Sequence, residues 1–477
     1  MAGRLAAWFE LDEYDTDIKT EVVAGITTFL TMSYIVVVNP AILSAAISVE
    51  GRTPGQTIQM LAVVTILAAV AATLTMALYA NRPFAQAPGL GLNAFFAFTV
   101  VLGLGVPWQT ALAAVVVEGV VFIFLTVIGA REYIIKLFPE PVKFAVGAGI
   151  GLFLAILGLE AMHVVASDPA TFIQFNPVFA NDPIALISVV GLFITFALYA
   201  ADIPGSIVLG IILTTVASYV ADAAGYSAID PQVAEGVALY TPASLTGQTD
   251  VVYSAAGYDI TPLVGAFLDG FSNVDALGFS LIVFTFFFVD FFDTAGTLTG
   301  VGQVAGFLDE DGNLPDIDKP LLSDAIGTTV GGIIGTSTVT TYIESSTGVE
   351  EGGRTGLTAL VVAVLFLASL ALVPLAAAVP LHASHLALVV VAVLMLRNIV
   401  DIEWDDLSHA VPAGLTMFIM PFTYSISYGI AAGIISYPII KAAQGEFREV
   451  HAGQWVLASA FVFYFFVRTS GLLAGAL

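Results

Sequence analysis

The chain has no cysteine, which removes disulfides, thiolate nucleophiles and cysteine metal sites. Basic residues are scarce: Lys and Arg total 13 against 38 Asp and Glu, a formal net charge of −25 that leaves nucleic acid without a counterpart. Charge of either sign is thin, at 11% of residues, where soluble domains average roughly 25%. An early apolar run is also missing: Met1 to Thr20 reads as polar and acidic, so no cleavable signal peptide is expected. The chain has no Gly-x₄-Gly-Lys-Ser/Thr loop, no His-Glu-x-x-His and no nucleophile–base set, so an enzyme is not expected. Asp309 to Asn313 imitates a calcium loop, but Leu314 and Pro320 stand where Gly and Glu are needed. His382 and His385 lack a third ligand, so neither metal nor cofactor is expected.

What is present is apolar. Hydrophobic residues make up 58% of the chain and the mean hydropathy is +0.95, the composition of an all-α polytopic membrane protein in the lipid bilayer. A span needs about 20 mostly apolar residues, and about fourteen candidates run from 21–39 to 454–471. Two of them, 88–103 and 342–350, are too short or too rich in Gly and Thr to cross alone. The stretch 411–441 is long and expected to break at Pro421. The acids concentrate between spans, at Glu10 to Glu21, Asp309 to Asp324 and Asp401 to Asp406. They are read as a water-facing surface suited to high salt. The distribution of Lys and Arg places both termini inside the cell membrane's cytoplasmic face.

The connector from Asp222 to Asp275 splits the chain into halves, each with an interrupted third span. Asn39 and Asn93 are 54 residues apart, as are Asp290 and Glu344. An odd number of spans per half forces the two halves to be inverted. Paired broken segments in matching positions mark a transporter's binding site. The β-branched run Thr336 to Thr341 favours a short strand, with a half-helix starting near Tyr342 and Glu344 in its first turn. In the partner segment Pro88 sets an extended entry, Gly89 and Gly91 permit close approach, and Asn93 starts the second half-helix.

Acids inside an apolar run are the sharper signal. Asp290 and Asp293 end the hydrophobic stretch from Leu277 to Phe292, where a charge costs about 2.5–3.5 kcal/mol on insertion scales. Carboxylates, an amide and hydroxyls suit a flat heterocycle with ring N–H and exocyclic amine donors. Phe95, Phe96, Phe287, Phe288, Phe291 and Phe292 could stack on such a ring, although lipid or helix contact accounts for most of them.

Phe287 to Thr297, Thr336 to Gly356, Gly89 to Phe96 and Met420 to Ile430 together resemble the azaguanine-like purine permeases of the nucleobase:cation symporter-2 family. The likeness spans nearly the whole chain; one departure is Thr347, where many members have Ala. The resemblance implies fourteen segments in a seven-plus-seven inverted repeat, with short strands in the third and tenth. It implies a core domain (1–140 and 261–376) that carries substrate past a gate domain (141–260 and 377–477). It also implies import of adenine, guanine or hypoxanthine with a proton or sodium ion by an elevator-type movement, and a homodimer. Asn93, Asp290, Glu344, Gly91 and Thr341 are the implied substrate-binding residues, supported by Asp293, Thr294 and Ser345. The rival readings are a sulfate-permease-like anion transporter, which two acids disfavour, a xanthine- or uracil-specific permease, and a passive channel.

Overall fold

A computed structural model describes residues 2–129, 138–168, 171–227, 244–247, 255–272, 276–309 and 314–469. Residues 310–313 of the imitation calcium loop and nearly half of the central connector lie outside them. Among the described residues, nine helices are long and apolar enough to cross a membrane.

Local signals set the helix ends. In order, α1 is Ile18–Met32, α2 Ile35–Leu43 and α3 Pro54–Thr75. Asp17 caps α1 by accepting the Thr20 N–H. Thr53 and Gln56 form a reciprocal capping box on α3, with Pro54 at its first position. Strand β1 (Gln86–Pro88) leads into the half-helix α4 (Leu90–Ala94), which continues as a π-helix over Phe95–Gly103. Then follow α5 (Trp108–Val127), α6 (Glu140–Ala161), a hairpin of β2 (Val165–Asp168) and β3 (Phe172–Phe175), α7 (Pro183–Ala200) and α8 (Ser206–Ala223).

The second half opens with the long α9 (Ala276–Val304) and α10 (Asp318–Ile334). Strand β4 (Val339–Thr341) leads into the short α11 (Ser345–Glu350). After it come α12 (Gly356–Ser369), α13 (Leu381–Met395), α14 (Leu407–Thr423), α15 (Ile426–Ala443) and α16 (Ala452–Thr469).

The helices pack in two groups. In one, α3 lies against α2, α10 and α12, α5 against α9 and α10, and α1 against α11 and α12. In the other, α6 packs on α13, α14 and α15, while α7 and α8 pack on each other and on α13. The α7–α8 contact is close because Gly191 lies against Thr214 and Gly210 against Thr195, a reciprocal use of small residues that lets backbones approach.

Three expectations change here. The 411–441 stretch is two helices packed on one another, and the break falls at Tyr424 (φ 53), with Pro421 inside α14. Glu21 and Asp324 are not surface acids: both are fully buried. Glu21 accepts the N–H groups of Arg354, Thr355 and Thr358 and the Thr358 hydroxyl, so it caps α12 from another helix. Asp324 lies a turn and a half into α10, where its neighbours are β1 and β4 rather than water.

Candidate functional site

The two interrupted segments meet. β1 and β4 pair antiparallel, with Gln86 opposite Thr341, Ala87 opposite Thr340 and Pro88 opposite Val339. Short strands of this kind exist at membrane depth only where surrounding protein satisfies them. Here the Gly89 N–H donates to the Thr338 carbonyl and the Tyr342 N–H to the Ala85 carbonyl, extending the ladder at both ends. Thr73 brackets Gln86 through its backbone N–H and C=O, and Thr328 does the same for Val339. The two half-helices therefore begin from one cross-piece, and the first N–H groups of α11, from Ser345, Ser346 and Thr347, donate to the carbonyls of Tyr342, Ile343 and Glu344.

Glu344 occupies the N-cap of α11, one residue before the first turn in which it was expected. Its Oε1 accepts the Tyr34 hydroxyl at 2.6 Å, which ties α11 to the junction between α1 and α2. Tyr342, two residues earlier, donates to the Pro88 carbonyl at 2.6 Å and so points back to β1. Asp293, on α9, lies within electrostatic reach of both Glu344 and Tyr342. Asp293 and Glu344 are only partly buried, whereas Asp290, Asn93 and Thr341 are closed off. The two partly accessible acids thus lie near one another, where α9 meets the β4–α11 turn.

The other expected residues have definite partners. Asn93 is the fourth residue of α4, not its start; Gly89 is the N-cap. Its Nδ2 donates to the Pro88 carbonyl and its Oδ1 accepts from Ser337, which joins the two broken segments side chain to side chain. A Cβ on Gly91 would sit 2.6 Å from Ile150 Cγ2 on α6, so this glycine lets α4 lie directly on the opposite helix group. Thr341 accepts from Gln86 Nε2 across the strand pair. Thr294 bonds Thr340 at 2.7 Å and Asp290 Oδ1 at 3.5 Å, pinning α9 to β4. Ser345 accepts the Ala85 N–H and holds α11 against β1. Thr347, the departure from the family pattern, contacts Thr31 Oγ1 at 3.2 Å and donates its hydroxyl to the Glu344 carbonyl at 2.7 Å.

The phenylalanines pack on each other. Phe95 meets Phe286, Phe287 meets Phe122 and Phe288 meets Phe138, with ring centroids 4.8, 5.6 and 4.1 Å apart. They wedge α9 against its neighbours, which is the plain packing reading. The two histidines are buried and bonded, His382 to Ser218 and His385 to Ser384.

Sequence reasoning passed over Glu118, Asp324 and Gln86. All three are fully buried beside Asp290 or β1. Glu118 carried the same signal as Asp290, an acid inside the apolar run Trp108–Val127. Asp324 was hidden by its closeness to a run of surface acids, and Gln86 by having no charge.

The permease-family model for xanthine/uracil permeases matches residues 19–432. The chain belongs to that family. A Methanocaldococcus jannaschii protein named only as a permease is 41% identical over 96% of this chain and 97% of its own length. The guanine/hypoxanthine permease PbuO of Bacillus subtilis is 38% identical, covering 96% and 100%. The adenine permease AdeP of Escherichia coli is 37% identical, covering 96% and 95%. Among solved structures, the transmembrane domain of the cyanobacterial bicarbonate transporter BicA superposes with a TM-score of 0.56 at 16% identity, covering 87% of this chain and 97% of that one. Murine Slc26a9, an anion transporter in the inward-facing state, gives 0.59 at 12% identity, covering 89% and 68%. These two likenesses concern the fold. The protein is a multi-pass membrane permease, a transporter and not an enzyme.

Proposed function

We propose that this permease imports purine nucleobases together with a proton, and that the purine binds between Asp293 and Glu344. The observation that supports the reading is the β1–β4 cross-piece, from which both half-helices start, with the partly exposed Asp293 of α9 and Glu344 of α11 near one another beside it. The named activities of the relatives from Bacillus subtilis and Escherichia coli support purines over other flat rings. The acids weigh against an anion as cargo.

In this reading Glu344 accepts the N1–H and 2-amino bonds of guanine, or the single N1–H bond of hypoxanthine, and is held in orientation by Tyr34. A further ring N–H goes to the Asp290–Asp293 pair, one helical turn on α9. Asn93 fixes the register of β1 against the ring, while Gly91, Thr341, Thr294 and Ser345 hold the frame. The first helix group (1–140 and 261–376) is the moving core, and the second (141–260 and 377–477) is the gate, which also supplies the homodimer contact. Both termini face the cytoplasm. Each proton entering down about 100 mV contributes roughly 2.3 kcal/mol toward accumulation.

The test is radiolabelled hypoxanthine uptake in vesicles, competed by adenine, guanine, xanthine and uracil. Purines, and not uracil, are expected to compete. Glu344→Gln is expected to abolish saturable uptake, and Asp290→Asn or Asp293→Asn to weaken it at least tenfold, the loss of about 1.4 kcal/mol or more. Wild-type uptake in all three variants at equal membrane levels overturns the site.

A further inference from the structure

Beside Asp293 lies a second group of acids. Glu118 on α5, Asp290 on α9 and Asp324 on α10 are each fully buried. The Glu118 and Asp290 carboxyls are within hydrogen-bonding reach of each other, and Asp324 lies within electrostatic reach of both. Neither oxygen of Glu118 has a donor, nor has Oδ2 of Asp290 or Oδ2 of Asp324. The charged or titratable groups bearing on the trio are its own members and Asp293; the remaining polar neighbours are Thr294, Thr341 and Gln86. No Lys, Arg or His is among them.

Gln86 is an independent sign of something missing. It is fully buried, its Nε2 donates to Asp324 Oδ1 at 3.2 Å, and its Oε1 has no partner. Gln86 Oε1, both Glu118 oxygens and one oxygen each of Asp290 and Asp324 are thus buried acceptors without a donor, an arrangement that is costly unless protons or a cation fill it. The three carboxyls do not converge as a set within 4.8 Å, so no metal cage is preformed. Two carboxyls in contact need only a shared proton.

We propose that Glu118, Asp290 and Asp324 form the site that takes up and releases the symported proton, with Glu118 as its member most remote from the purine. This rests on the purine-symport reading and adds where the proton is held. The proton adds to a carboxylate oxygen of the trio on the outer side and leaves the same group on the inner side, and no bond of the purine changes. Asp290 stands in the trio and on the face of α9 that carries Asp293. Occupancy of the purine site is thereby felt by the proton, and a proton in the trio is felt by the purine.

The experiment compares wild type, Glu118→Gln and Glu118→Asp, each purified and monodisperse, in proteoliposomes. Radiolabelled hypoxanthine counterflow, which needs no gradient, reports the purine site. Accumulation under an inward proton gradient reports coupling. Wild type is expected to do both, with accumulation up to about fifty-fold per proton at about 100 mV. Glu118→Gln is expected to keep counterflow within about twofold, lose accumulation and show a flattened pH dependence of counterflow; Glu118→Asp is expected to restore coupling. A purine-independent readout is the infrared band of protonated carboxyl in a pH titration, expected to shrink in Glu118→Gln. Undiminished accumulation or an unchanged infrared titration in Glu118→Gln overturns the proposal, as does accumulation driven by a sodium gradient at fixed pH. Absent wild-type counterflow with every purine overturns the purine reading instead, and the infrared titration then decides the trio alone.

Discussion

Two glutamates of this chain show how burial alone fails to identify a site. Glu21 is fully buried, and both its oxygens accept, from three backbone amides and a hydroxyl at 2.6–3.3 Å. Its acceptor capacity is spent on the start of α12. Glu344 is only partly buried, with Oε1 on the Tyr34 hydroxyl. The substitutions Glu21→Gln and Glu344→Gln should therefore separate. The first replaces an acceptor oxygen with a donor that faces N–H groups, which costs about 1–3 kcal/mol. It is expected to lower the melting temperature in detergent and leave purine affinity unchanged. The second is expected to spare the melting temperature and abolish purine binding, measured by scintillation proximity. Tyr34→Phe removes a bond to an acid, worth about 1.5–3 kcal/mol, and is expected to weaken purine binding by tenfold or more. Equal affinity in Tyr34→Phe would mean that the tyrosine does not orient Glu344.

At the scale of elements, the half-helix α4 meets the other helix group through a glycine. Gly91 has no room for a methyl, because Ile150 Cγ2 on α6 already lies where the Cβ would be. Overpacking of this sort costs about 1–3 kcal/mol. Gly91→Ala is expected to slow purine counterflow sharply, and the double variant Gly91→Ala/Ile150→Ala to recover most of it. Failure to recover would assign Gly91 to substrate contact instead of packing. The broken elements were legible in the sequence because glycine, proline and a β-branched run interrupt apolar segments at matching places. The pairing of β1 with β4 followed from the need to satisfy strand backbone inside lipid. The exact half-helix starts were not legible, since Glu344 and Gly89 take the cap positions for reasons of cross-strand geometry. The β2–β3 hairpin and the Tyr424 break gave no distinctive signal; Pro421 drew attention, but its ring is tolerated inside α14. The acid trio was half visible: Asp290 and Glu118 both stand in apolar runs, but only packing shows that they touch.

For the whole molecule the acids divide into two populations with opposite physics. Those in the membrane interior are few and face one another. Those at the surface are many: Glu10, Asp12, Glu13, Asp15 and Asp17 precede α1, Asp316 and Asp318 precede or open α10, and Glu403 and Asp405 precede α14, all exposed. Some acids pair with a base: Asp259 with Arg52, Asp316 with Lys319, and Glu446 and Glu449 with Lys441. Like charges clustered this closely repel each other in dilute buffer, because the screening length is about 30 Å at 0.01 M salt and about 3 Å at 1 M. Raising salt across that range should therefore stabilise the folded protein, by a few degrees of melting temperature for each kcal/mol of relieved repulsion. The effect should be the same in NaCl and KCl, since screening depends on ionic strength alone. Replacing Glu10, Asp12 and Glu13 by their amides should flatten the curve, because part of the repulsion is then already gone. Stabilisation by sodium that potassium does not reproduce would point elsewhere: to a bound ion, and so to a sodium-filled trio in place of a protonated one. A melting series in the two salts, run on wild type and on Glu118→Gln, distinguishes them, since screening survives that substitution and ion binding at the trio does not.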